Sequence, residues 1–207
     1  MQTPALLVLA KQPIAGRAKT RLTPPCTPQQ AAKLADAALR DTLDAVAEVP
    51  VGRRVLVFEG DPGPWRPKGF EVVAQRGEGL GERLQAAFDD VGQPALLIGM
   101  DTPQVTPAQL GDAVRALADE RVDSILGPTV DGGYWCVGFQ RPVAGAFVGV
   151  PMSAPNTYIH QHERLAELGL RIGSQPLLRD VDTIDDAEAV AAQAPATRFA
   201  RALEVIR

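Results

Sequence analysis

Short apolar runs recur along this chain at 5–10 (ALLVLA), 54–58 (RVLVF), 70–74 (FEVVA), 95–100 (ALLIGM), 122–126 (VDSIL) and 134–139 (YWCVGF). Several are apolar without alternation, the pattern of strands covered on both faces. Between them, apolar positions return at helical spacing over 28–48, 80–91, 107–119, 156–168 and 185–193. Three helix starts are signposted. Thr27 precedes Pro28, Thr106 precedes Pro107, and Thr183 stands three residues before Asp186. Alternating strand and helix predicts an α/β fold around a mostly parallel sheet. Pro62–Pro67 (PGPWRP) reads as a surface turn, and no linker or repeat divides residues 1–207, so one domain is expected.

Composition adds little to this picture until charge is placed along the chain. The 207 residues are 45% hydrophobic and 22% charged, with a formal net charge of −4. That balance argues against nonspecific nucleic-acid binding, so any anion site must be a local basic patch. Such a patch exists: Lys11, Arg17, Lys19 and Arg21 precede the first acid, Asp36, while Asp180, Asp182, Asp185, Asp186 and Glu188 crowd the other end. Cys26 and Cys136 fit no metal spacing and read as reduced thiols. Leu6–Ala10 is too short for the apolar segment of a secretory signal, and no run reaches membrane-spanning length, which together predict a cytoplasmic protein.

Four constellations could carry chemistry. The first is the basic loop around Gly16, set directly after the first strand, where α/β sheets bind ligands; it contains neither a Walker loop nor GxGxxG. Lys and Arg there can neutralise phosphate while glycine allows close backbone approach. The second is Asp101, delivered by a hydrophobic strand that Pro103 ends, a carboxylate suited to Mg²⁺. The third is Asp131-Gly132-Gly133, either a plain turn or a ligand-lining one. The fourth is Asp180-Val181-Asp182. One of its acids is expected to face a metal while the other supports the backbone, and Asp182 is the preferred ligand. The glycine-rich turn containing Gln75 and Gly77 is a weaker nucleotide-binding candidate. His160 and His162 are two apart on a helix and cannot share a face to bind a metal.

In this order, KQPIAGRAKTRL (11–22), QRGEGLGERL (75–84), GMDTPQ (99–104), LGPTVDGGYW (126–135) and DVDTIDD (180–186) resemble a bacterial family of nucleotide-diphospho-sugar transferase-like proteins. Some members of that family are linked with arsenosugar biosynthesis. The chain is also distantly similar to 2-phospholactate and molybdenum-cofactor nucleotidyltransferases. The resemblance implies a glycosyltransferase-A fold, a Rossmann-like mixed sheet sandwiched by helices. It also implies nucleotide phosphates on the first loop and Mg²⁺ or Mn²⁺ held by Asp101 and Asp182. Relatives tend to carry Trp-Ser-Thr where this chain has Met152-Ser153-Ala154, a segment expected to border the acceptor.

These readings converge on a transferase. The favoured reaction joins a nucleoside triphosphate to a small phosphorylated acceptor with release of pyrophosphate, because four cations match a triphosphate. In it, Lys19, Asp101 and Asp182 are the catalytic candidates, and Lys11, Gly16, Arg17, Lys19, Arg21, Gln75 and Gly77 hold the nucleotide. Asp131, Gly132, Gly133 and Ser153 meet the acceptor. The alternatives are a glycosyltransferase using an NDP-sugar and a catalytically silent nucleotide-binding module. Whether the chain acts alone or as a homodimer is left open by the sequence.

Overall fold

The computed structural model describes residues 3–92 and 94–206. Seven strands form one sheet: β1 (Ala5–Lys11), β2 (Arg54–Glu59), β3 (Glu71–Ala74), β4 (Ala95–Gly99), β5 (Ser124–Pro128), β6 (Tyr134–Phe139) and β7 (Ile172–Ser174). Their order is β3-β2-β1-β4-β6-β5-β7. β1 lies parallel to β2 and β4, β2 to β3, and β5 to β7, whereas β6 runs antiparallel to both of its neighbours. The α/β class and the mostly parallel sheet are those the sequence pattern predicts.

The described residues form six α-helices: α1 (Pro28–Glu48), α2 (Leu80–Val91), α3 (Pro107–Leu117), α4 (Thr157–Glu167), α5 (Ile184–Gln193) and α6 (Arg198–Ile206). α1, α3 and α5 open with reciprocal capping boxes, Thr27 with Gln30, Thr106 with Gln109 and Thr183 with Asp186. Each satisfies amide groups that a helix start leaves without partners.

Strand residues alternate between two cores, so β1 sends Leu6, Val8 and Ala10 to one face and Ala5 and Leu7 to the other. The first face packs Leu39, Leu43 and Val46 of α1 and Leu110 and Val114 of α3. The second packs Leu84 and Phe88 of α2 and Leu165 of α4. There the Phe88 and Phe139 rings meet edge to face at 4.8 Å, which locks α2 onto β6. The far side of α1 carries a third core, Leu34 and Ala38 against Val181, Val190, Phe199 and Leu203. α5 and α6 therefore form an outer layer on α1, and through Val181 they carry the acidic segment back to the sheet.

β7 and α6 are absent from the sequence-level reading. β7 has only three residues. α6 buries Phe199 and Leu203, four residues apart on one helical face, a signal as strong as that of α5 that the sequence reading passed over.

Candidate active site

The parallel strands place their carboxyl ends along one edge of the sheet, and the antiparallel β6 starts at that same edge. β4 ends at Gly99 beside the start of β6, with Ile98 opposite Cys136. The β5–β6 hairpin turn, residues 129–133, thus comes next to Asp101. Thr129 bridges to Leu178, and Val181 donates its amide to the Asp101 carbonyl at 2.9 Å, which draws the 178–182 segment to the same place. Three stretches distant in sequence converge here for backbone reasons alone.

The convergence gathers Asp131, Asp180 and Asp182, each with a carboxylate oxygen within 4.8 Å of the others. Asp180 and Asp182 both join the group, although one of them was expected to turn away. Val181 is buried between them in irregular backbone, and both carboxylates reach the group. Burial, and then the negative charges of Asp131 and Asp182, push the Asp180 carboxyl up to about 6. Asp131 is held by its own turn: its Oδ1 accepts from Thr129 Oγ1 at 2.6 Å and from the Gly133 amide at 2.9 Å. Gly132, at φ 89°, has no room for a side chain, since a Cβ would stand 1.8 Å from the Pro155 carbonyl oxygen. The acidic turn and the 152–157 segment are consequently fixed to each other.

Three carboxylates in contact, one of them resisting ionisation, form a donor set suited to a hard divalent cation such as Mg²⁺ or Mn²⁺. The fit is to these three acids. Asp101 lies outside the group, and its Oδ1 is 2.6 Å from Lys19 Nζ, which is itself 3.8 Å from Asp182 Oδ1. An ammonium stands between the two carboxylates that the sequence pairs as metal ligands.

The basic loop divides into two parts. Lys19, in the left-handed region at φ 50°, has a side chain only 6% exposed, donates to the Val181 carbonyl and is ion-paired with Asp101. Arg21 is 2.7 Å from Asp182 Oδ2. Lys11 and Arg17 are exposed, and among the described residues their side chains have no ion-pair partner. Lys11, Arg17, Lys19 and Arg21 line a pocket of about 160 Å³. On the other side of Arg21, Asp101 and Asp182 lies a cleft of about 640 Å³, which also receives Asp131, Gly133, Ser153 and Asp180.

The remaining candidates stand away from these cavities. Gln75 donates through Nε2 to the carbonyls of Ala10 (2.7 Å) and Val57 (3.3 Å), tying the ends of β1 and β2 together. Gly77, at φ 114°, lets the turn pass Glu82, whose Cβ would be 2.6 Å from an added Cβ. Gly16 borders a separate shallow hollow with Thr20 and Pro28. Met152 lies in the segment expected to border the acceptor, but sequence reasoning missed the rest of the apolar wall of the large cleft, built from Leu9, Leu80, Leu84, Leu97 and Trp135. Their positions read as ordinary core, and no local signal separates them from it. Cys26 and Cys136 are free and buried, and burial pushes both thiols up, away from the reactive thiolate. No helix of the described residues is long and apolar enough to cross a membrane.

Residues 24–154, well over half of the sequence, match DUF2064, a family described as uncharacterised proteins conserved in bacteria. The chain belongs to this family. No curated protein matches it in sequence. Among similar solved structures is a candidate nucleotide-diphospho-sugar transferase from Desulfovibrio desulfuricans G20, with TM-score 0.86 and 26% identity over 99% of this chain and 95% of that one. CMP:2-keto-3-deoxy-manno-octonic acid synthetase complexed with CTP shares the fold at TM-score 0.61 and 13% identity, over 91% of this chain and 97% of that one. Rv0371c from Mycobacterium tuberculosis H37Rv, in complex with manganese, does so at TM-score 0.59 and 21% identity, over 92% and 98%. The fold is thus that of nucleotide-diphospho-sugar transferases and nucleotidyltransferases, as the sequence resemblance implies.

Two outcomes follow from this geometry. Lys19→Met strands a carbonyl and a carboxylate and should cost about 1–3 kcal/mol of stability, read as a lowered urea midpoint at pH 7. An unchanged midpoint would mean that the lysine is only a ligand contact. The Asp180 carboxyl holds its proton longer in the folded than in the unfolded chain. The contribution of Asp180 to metal-free stability is therefore present below about pH 4 and is lost as pH rises through about 6. Asp180→Asn should accordingly raise the melting temperature by a few degrees at pH 7.5 in EDTA and leave it unchanged near pH 4. An equal effect at both pH values would contradict the charge crowding.

Proposed function

We propose that this chain is a metal-assisted transferase that moves a sugar from a nucleoside diphosphate sugar to a small acceptor, releasing the nucleoside diphosphate. The observation that carries the reading is the common wall of Arg21, Asp101 and Asp182 between a basic pocket and an acid-lined cleft. In it the diphosphate lies with Lys11 and Arg17, and the sugar points across that wall into the cleft. The preference for a triphosphate rested on four available cations. Lys19 and Arg21 are already committed to Asp101 and Asp182, and the two cations that remain match a diphosphate better. The similarity to the Desulfovibrio protein points the same way.

Asp131, Asp180 and Asp182 would hold Mg²⁺ or Mn²⁺. When bound, the cation supplies charge neutralisation for the departing diphosphate. The protein's own part is positioning and electrostatics. Lys11 and Arg17 offer charge-assisted hydrogen bonds to phosphate oxygens and stabilise the negative charge that grows as the leaving group departs. Lys19 keeps Asp101 and the 180–182 segment in register, so the acids and the cations face one another without rearranging.

A second reading, nucleotidyl transfer from a nucleoside triphosphate with release of pyrophosphate, is favoured by the shared fold of the CTP-bound synthetase. The two readings part on product. With Mn²⁺ and a panel of NDP-sugars and nucleoside triphosphates, free nucleoside diphosphate is expected; pyrophosphate would establish the second reading instead. Tight nucleotide binding without turnover on any panel would identify a silent binding module.

Lys11→Ala and Arg17→Ala should each weaken nucleoside diphosphate binding about tenfold or more. A hydrogen bond to a charged group contributes about 1.5–3 kcal/mol. Because neither side chain is ion-paired in the fold, the melting temperature should stay within about a degree. Unaltered affinity in both variants, measured by calorimetry, would remove the phosphate from this pocket.

A further inference from the structure

The large cleft says something about the acceptor that the transferase reading alone does not. At one end stand Asp101, Asp131, Asp180 and Asp182. Among the described residues, its one cationic side chain is Arg21, which is 2.7 Å from Asp182 and thereby engaged. The other lining residues include Leu9, Leu80, Leu84, Leu97, Met152 and the ring of Trp135, whose indole N–H is already donated to the Pro176 carbonyl at 2.9 Å, together with the neutral hydroxyls of Thr102, Thr129, Tyr134, Ser153 and Thr157. Free cations face the small pocket, on the other side of the shared wall.

Ionised carboxylates only accept hydrogen bonds, so a ligand at the acid end must bring donors. A hydroxyl brings one. A phosphate dianion brings only acceptors and adds like charge, and the remainder of the cleft, apolar side chains and neutral hydroxyls, holds no charge to offset it. A cation bound by the three acids would offset part of their charge, yet it would put no donor on the leucine wall. The expected phosphorylated acceptor therefore finds no matching surface here.

Resting on the transferase reading for its reaction but on the cleft alone for its recognition, we infer that the acceptor is an uncharged, hydroxyl-bearing molecule with an apolar body. Its hydroxyl end meets the acids, and its body covers Leu80, Leu84 and Met152. Burial of apolar surface then sets affinity, at about fourfold per methylene, the equivalent of about 0.8 kcal/mol.

The test is calorimetric titration of the Mn²⁺-loaded protein with methyl, butyl and hexyl β-D-glucosides and with alkyl phosphates of the same lengths. The expected result is glucoside affinity rising severalfold per methylene, with each phosphate at least tenfold weaker than the glucoside of equal length. Leu80 is 40% exposed at the first turn of α2, so Leu80→Asp is tolerated by the fold and should flatten the dependence on length. Alkyl phosphates that bind as well as the glucosides would overturn the inference, as would glucoside affinity independent of length. A parallel titration with a nucleoside diphosphate separates the two claims. Length-dependent glucoside binding without nucleotide binding sinks the transferase reading and leaves the acceptor class standing, and the reverse result sinks the acceptor class alone.

Discussion

Lys19 brings its ammonium to the Asp101 carboxylate, 2.6 Å away, to the Val181 carbonyl, and to within 3.8 Å of Asp182. With the Lys19 side chain almost wholly buried, its charge is met by the Val181 carbonyl and the Asp101 carboxylate at close range, and Asp182 adds attraction through space. The contact joins the loop after the first strand to the end of the fourth strand and to a segment more than 160 residues further on. The left-handed backbone at Lys19 is the local cost of aiming the side chain inward. Once it is in place, the remaining charges have little freedom. Arg21 turns to Asp182, Lys11 and Arg17 are left facing outward, and Asp180 and Asp182 are pressed toward Asp131.

Charge is thereby sorted across a single wall. Free cations border a small pocket and carboxylates a larger apolar cleft, with Arg21, Asp101 and Asp182 common to both. A sheet of parallel strands with one antiparallel member makes this possible. The carboxyl ends of β1 and β4 and the start of β6 open at one edge, and loops from both halves of the chain meet there. A donor that bridges two such chambers has its anionic part and its neutral part separated at the wall, which is where a group-transfer reaction must break a bond.

Much of the framework was legible in the residues. Six strands, five helices and three helix starts follow from apolar spacing and from Thr-Pro and Thr-x-x-Asp signals, because those depend on near neighbours. The site was legible as an inventory of charged residues and less so as a set of pairs. Lys19 and Arg21 resemble Lys11 and Arg17 in sequence, and only the long-range contacts to Asp101, Val181 and Asp182 distinguish structural cations from free ones. Asp180 could not be told from Asp182 in the sequence, because 180–182 is irregular backbone whose side-chain directions no strand or helix period fixes. Gln75 and Gly77 illustrate the opposite case, residues of a binding-loop type whose groups are spent on the ends of β1 and β2 and on passing Glu82.

The central claim is that three acids from two distant segments form a cation site beside a phosphate pocket. Anomalous scattering from crystals grown with Mn²⁺ and a nucleoside diphosphate tests it directly. A manganese peak held by carboxylates of Asp131, Asp180 and Asp182, with the β-phosphate beside Lys11 and Arg17, is the predicted result. Manganese held by Asp101 alone, or a diphosphate bound away from the loop after β1, would contradict it.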